Sequence, residues 1–200
     1  MNRLFTSLLL FSFGAAMTVT SAVAQQDKNP NNTEMSSKAS AGMSTTDTTF
    51  VKKAAEGGLA EVELGTLAQQ KGSNDQVKKF GERMVNDHTK ANDQLKDVAQ
   101  QKQIQLPDKL SAKDQATKDR LEKLSGEQFD RAYMTDMVKD HKKDVAEFAR
   151  ESQSSKDPAV KNFARQTLPT LRQHLKEAEK LAPAQKTTAS NSGMKPTAAQ

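Results

Sequence analysis

The 200-residue sequence predicts an all-α protein, a bundle of four long helices with one additional short helix between flexible tails. Three observations carry this expectation. Tryptophan is absent, tyrosine occurs once and aromatic residues make up 4% of the chain, a composition poor in the side chains that sheets need. Apolar residues recur at steps of three and four through residues 47–182. Serine, aspartate, glycine and proline punctuate that stretch where helices start and stop.

The first 24 residues carry a basic Arg3, an apolar run from Leu4 to Phe13 and the small-x-small sequence Ala22-Val23-Ala24. This pattern predicts a secretory signal peptide cut after Ala24, and hence a periplasmic or secreted protein of the bacterial cell envelope. The competing reading, a retained membrane anchor, requires a longer apolar run than these roughly ten residues. No integral membrane span is expected after cleavage. With no cysteine in the chain, a lipid anchor, a disulfide framework and thiolate metal ligation are excluded.

Residues 25–46 and 183–200 hold almost nothing that can be buried and predict a flexible leader and tail around a domain at residues 47–182. The first helix is expected from Asp47 as N-cap to about Lys71, ended by a left-handed Gly72. A capping box from Ser73 to Gln76 opens the second, which runs to about Gln103, before Leu106-Pro107. Ser111 caps a short helix to about Leu124. A second capping box, Ser125 to Gln128, starts a long helix reaching about Ser154, and Asp157-Pro158 starts the last, which continues to about Leu181 and is expected to kink at Pro169. Long helices joined by tight turns must hide their apolar stripes against one another, which an antiparallel bundle achieves. Gly57, Gly58 and Gly65 lie along the first stripe, where glycine costs about 1 kcal/mol relative to alanine and therefore marks a close approach.

Polar residues interrupt the stripes at one level. The chain has three histidines, and His88, His141 and His174 each fall on the apolar face of a different long helix, near its middle. Glu61 lies on the inward side of the first helix at matching height. Three neutral imidazoles and a carboxylate suit copper, iron or zinc, and Met84 and Met137, one turn before two of the histidines, could add thioether ligands for copper(I). A buried polar network without a ligand accounts for the same pattern. Asp87 and Asp140 precede two of the histidines by 100° of helix turn and are expected on the outer surface or against a neighbouring lysine. The segments 84–90 and 137–143 agree at five of seven positions, a repeat that places His88 and His141 in similar environments.

The segments FVKKAAEGGLAEVELG (50–65), RMVNDHTKAN (83–92), FDRAY (129–133), MVKDH (137–141) and TLPTLRQHL (167–175) resemble a bacterial exported family of unknown function placed among ferritin-like helical bundles. That resemblance implies a ferritin-like four-helix bundle and an envelope location, and no established activity. Di-iron bundles carry Glu-x-x-His on two helices, whereas Val85, Val138 and Leu171 stand three residues before these histidines, so ferroxidase chemistry is not expected. Signatures for nucleophilic, phosphate or dinucleotide chemistry are missing, and an enzyme is not favoured.

Removing Arg3 with the signal leaves 29 basic side chains against 25 acidic ones. Basic and acidic residues alternate along every helix and the base-stacking aromatics are lacking, so nucleic acid is not an expected partner. Two functions follow: a binding protein holding one transition-metal ion in a stress or metal-handling role, or a metal-free bundle acting on envelope protein partners. Nothing in the pattern fixes an oligomeric state.

Overall fold

A computed structural model describes residues 43–182, and the segments expected to be signal peptide, most of the leader and the tail lie outside them. Among the described residues there are five helices and no strand: α1 (Thr45–Lys71), α2 (Asp75–Gln101), α3 (Ala112–Glu122), α4 (Gly126–Ser154) and α5 (Pro158–Leu181). None of these helices is long and apolar enough to cross a membrane.

Local chemistry explains the boundaries, including those that differ from expectation. Helix α1 starts three residues early because Ser44, not Asp47, is the cap, its Oγ accepting the Asp47 N–H at 3.0 Å. At α2 the cap is Asn74, whose side chain accepts the Gln76 N–H at 2.8 Å. Ser73 is taken instead by Asp130 of α4, which accepts the backbone N–H groups of Ser73 at 3.1 Å and Asn74 at 2.9 Å. Gly72 is not left-handed, with φ −58° and ψ 138°; glycine fits because a Cβ would stand 2.7 Å from the Ala68 carbonyl. Helix α2 stops at Gln101 because Gln103 adopts φ 54° and Ile104 donates its N–H back to Ala99 at 2.8 Å, a Schellman closure. Ser111 and Asp157 cap as expected, each accepting backbone N–H groups of the first turn. Ser125 occupies the α4 cap position without a side-chain bond, and Gly126 beside it has φ 58°. Helix α5 runs on through Pro169.

Contacts fix the helix directions. Short turns fold α1 onto α2 and α4 onto α5. Phe50 meets Phe148 with ring centroids 5.0 Å apart while Glu61 meets His141, so α1 and α4 are antiparallel. Helices α2 and α4 therefore run the same way, and the segment joining them crosses the bundle. One long crossover is the arrangement of ferritin-like bundles. Helix α3 lies within it and is pinned to α1 and α4 by Lys118–Glu63 at 2.7 Å, by an Arg120–Asp136 pair and by buried Leu121.

The α1–α2 seam is unusually close. A Cβ on Gly65 would stand 2.6 Å from the Gly81 carbonyl oxygen, and one on Gly58 would overlap the Asn92 side chain, whereas Gly57 has nothing within 4 Å. Two of the three α1 glycines thus mark close approach and the third does not.

The core has two apolar clusters. One holds Leu64, Phe80, Met84, Phe129, Tyr133 and Met137 among others, and the second Phe50, Leu95, Phe148, Phe163 and Leu171. On every long helix a buried polar residue separates the two: Glu61 on α1, His88 on α2, His141 on α4 and His174 on α5. The bundle is a sandwich of apolar, polar and apolar levels.

Candidate metal centre

Helix periodicity delivers the three imidazoles to the middle of the bundle, where His141 and His174 are fully buried and His88 nearly so. One ring nitrogen from each lies within 4.8 Å of the others. Ring centroids are 5.3 to 5.8 Å apart, and Phe80 stands edge-on to His141 and His174.

The tautomers follow from the partners. The Nδ1–H of His141 donates to the Met137 carbonyl oxygen at 2.9 Å, and the Nε2–H of His174 donates to Asp87 Oδ2 at 2.8 Å. A neutral imidazole has one N–H, so each proton is used, leaving the lone pairs of His141 Nε2 and His174 Nδ1 facing each other at 3.3 Å. Burial, and then the neighbouring His174, push His141 down to about 4. Burial also lowers His174, partly opposed by its bond to Asp87, and pushes His88 well below the usual imidazole value with help from the other two rings. Near neutral pH the rings are uncharged, so no proton fills the gap. Two lone pairs at that distance repel unless a cation lies between them. In a tetrahedral zinc site with Zn–N bonds of about 2.0–2.1 Å, neighbouring nitrogens are about 3.3–3.4 Å apart.

Both rings also carry the supports that metal-bound histidines use, a carbonyl behind one and a carboxylate behind the other. Asp87 is the residue that sequence reasoning misplaced. It faces α5 rather than the outer surface and is held at 3.3 Å by Arg83, which also bonds Glu177 and Gln173 at 2.8 Å. Its legible signal was the Asp-His doublet repeated at Asp140-His141. Asp140 forms no ion pair among the described residues and lines a cavity beside the cluster.

Glu61 is buried as expected, but its Oε1 lies 3.7 Å from His141 Nδ1, the nitrogen already bonded to Met137, not the one facing His174. Its Oε2 and the Nε2 of His88 are buried without any hydrogen-bond partner. Burial and the charges of Asp144 and Asp140 push Glu61 well above the carboxylate range. Met84 and Met137 are fully buried in the first apolar cluster, and Met137 serves the site through its carbonyl. Three imidazoles without a carboxylate in the mutual set do not fit a di-iron centre, which is built from bridging glutamates. They fit a single late transition ion.

Fold and cluster together define a ferritin-like helical bundle with a buried trihistidine core. The chain belongs to the family described as Domain of unknown function (DUF4142), whose model matches residues 32–181. No curated protein matches it. Among solved structures it is similar to a crystal structure of a DUF305 fragment from Deinococcus radiodurans, with 16% sequence identity, a TM-score of 0.62, and coverage of 70% of this chain and 97% of that one. That likeness concerns the fold.

Proposed function

We propose that this is an exported envelope protein that binds one transition-metal ion, copper or zinc ahead of iron, through His88, His141 and His174. The single observation behind this is the pair of imidazole lone pairs, 3.3 Å apart, whose tautomers are fixed by Met137 and Asp87. An all-nitrogen, water-poor site favours copper and zinc over the harder, carboxylate-preferring ions, and copper(II) leads the affinity order for divalent ions. The buried ligands suit holding and handing over an ion. The signal-like N-terminus supports the envelope setting. Glu61 supplies a carboxylate on the far edge of His141, and Met84 and Met137 pack the level beneath.

The test is a titration of the purified, untagged protein with copper(I), copper(II), zinc and iron(II), following bound metal and thermal midpoint together. One equivalent, with a raised midpoint that vanishes when His88 and His141 are both replaced by leucine, is the expected result. If no metal binds stoichiometrically or stabilises the protein, the function is that of a metal-free bundle acting on envelope partners, and the double leucine variant gains stability because apolar packing replaces a buried polar network.

A further inference from the structure

A cavity of about 190 Å³ is lined by residues of all five helices, with exposed Lys53, Lys113 and Lys143 and buried Glu61 and His88 among its walls. This space has room for an ion with part of its water shell. Six carboxylates line it against the three lysines. Of these, Asp140 and Asp144 form no ion pair among the described residues, although α4 sets them one turn apart on the same wall. Burial pushes Asp144 up to about 7 against the opposing pull of Lys143, with the carboxylates of Asp140 and Glu147 adding to the rise.

Two further features point inward from this acidic lining. Glu61 is 4% exposed and His88 7%, both line the cavity, and each retains a ring or carboxylate atom with no hydrogen-bond partner. A bundle gains nothing from burying two unmatched polar atoms, since each forgoes the hydrogen bond it makes to water in the unfolded chain. Both atoms suit a transient guest that carries positive charge. The lone pairs of His141 and His174 are sealed inside the four-helix core, so an ion bound there must arrive past one wall of the cluster. Among the triad, His88 is the member whose ring lines the cavity.

We propose that this cavity is the loading vestibule for a divalent transition-metal cation, in which Glu61, releasing its proton to water as the cation arrives, takes the ion from the acidic lining and passes it to His88. The proposal rests on the trihistidine reading and adds a route and a sequence of ligands to it. A residue that serves passage, and not final binding, alters entry and exit by the same factor, because both directions cross the same barrier. A final ligand changes the equilibrium instead.

The experiment uses zinc ions alone, with stopped-flow loading of the untagged protein and unloading into a chromophoric chelator, for wild type, Glu61→Gln and Asp144→Asn. Melting of each metal-free variant checks folding, and Asp144 is the second position because its half-buried site at the cavity wall tolerates an amide more readily. Loading and unloading are expected to slow together by about tenfold or more, the range in which clefts of one charge raise ion capture, while affinity moves far less. Wild-type rates in both folded variants overturn the vestibule and leave the triad standing. A fall in affinity for Glu61→Gln carried by unloading alone overturns it too, making Glu61 a final ligand. If wild type takes up no zinc, copper or iron, the triad reading fails and the vestibule with it.

Discussion

Replacing Asp87 with alanine separates a metal centre from an inert polar core, because the two readings assign this carboxylate different values. In the metal-free protein the variant loses the acceptor for the His174 Nε2–H. An unpaired buried donor costs about 1–3 kcal/mol, but the Asp87 side chain is 35% exposed, so water reaches the vacated space and the low end applies. The lost Arg83 contact adds little, since exposed pairs contribute about 1 kcal/mol at most and Arg83 keeps Glu177. The expected loss of metal-free stability is therefore about 1 kcal/mol. For the metal the consequence is larger, because without the carboxylate His174 is free to place its proton on Nδ1, the atom that must ligate. Loss of such a supporting group typically costs about 10–100-fold in metal affinity. Asp87→Asn keeps an acceptor and should recover part of that loss. Chelator competition measures the affinity and urea unfolding the stability. Affinity for Asp87→Ala within about twofold of wild type would refute ligation through His174 Nδ1.

The glycines of α1 give a test with opposite signs: Gly57→Ala, with open space around its Cβ, should stabilise by up to about 1 kcal/mol in urea unfolding, whereas Gly65→Ala drives a methyl to 2.6 Å from the Gly81 carbonyl and should destabilise by about 1–3 kcal/mol. Asp130→Ala, which frees the Ser73 and Asn74 amides at the α1–α2 turn, should cost about 2 kcal/mol in the same assay. The metal-free protein should lose stability as pH falls from about 6.5 toward 4: folded His141, pushed down to about 4, refuses a proton that the unfolded chain accepts, which removes up to about 3 kcal/mol over that window. Asp144 acts in the opposite sense, its raised value making stability fall as pH climbs from about 4 to 7. Asp144→Asn should therefore gain on the wild type across that range, and His141→Leu should flatten the acid limb of the wild-type profile.

Much of this architecture is legible before any coordinates, for a physical reason. A helical period of 3.6 residues converts spacing into facing, so the inward placement of His88, His141 and His174 follows from the apolar residues around them. Their common height follows from helices of similar length packed side by side. Asp87 escapes that logic, because a residue on the flank of a stripe meets whichever helix lies alongside, and topology decides that α5 does. The edge of His141 that Glu61 approaches depends on ring torsions that no spacing encodes. The caps failed in a related way: Ser73 could cap α2, but the Asp130 carboxylate across the turn binds it, and Asn74 takes its place. Gly72 reads as a left-handed helix stop, yet its role is to admit a neighbouring carbonyl.

The crossover between α2 and α4 divides the chain into two hairpins, each closed by a three-residue turn and each able to form from local contacts alone. Neither hairpin owns the cluster: Asp87 and His88 come from the first, His141 and His174 from the second. An ion held there is a rivet between halves, and its binding free energy adds to their docking as RT ln(1 + [L]/Kd). Amide hydrogen exchange along the α2–α5 seam should therefore report metal occupancy more strongly than exchange within either hairpin, and an empty bundle should part along that seam first.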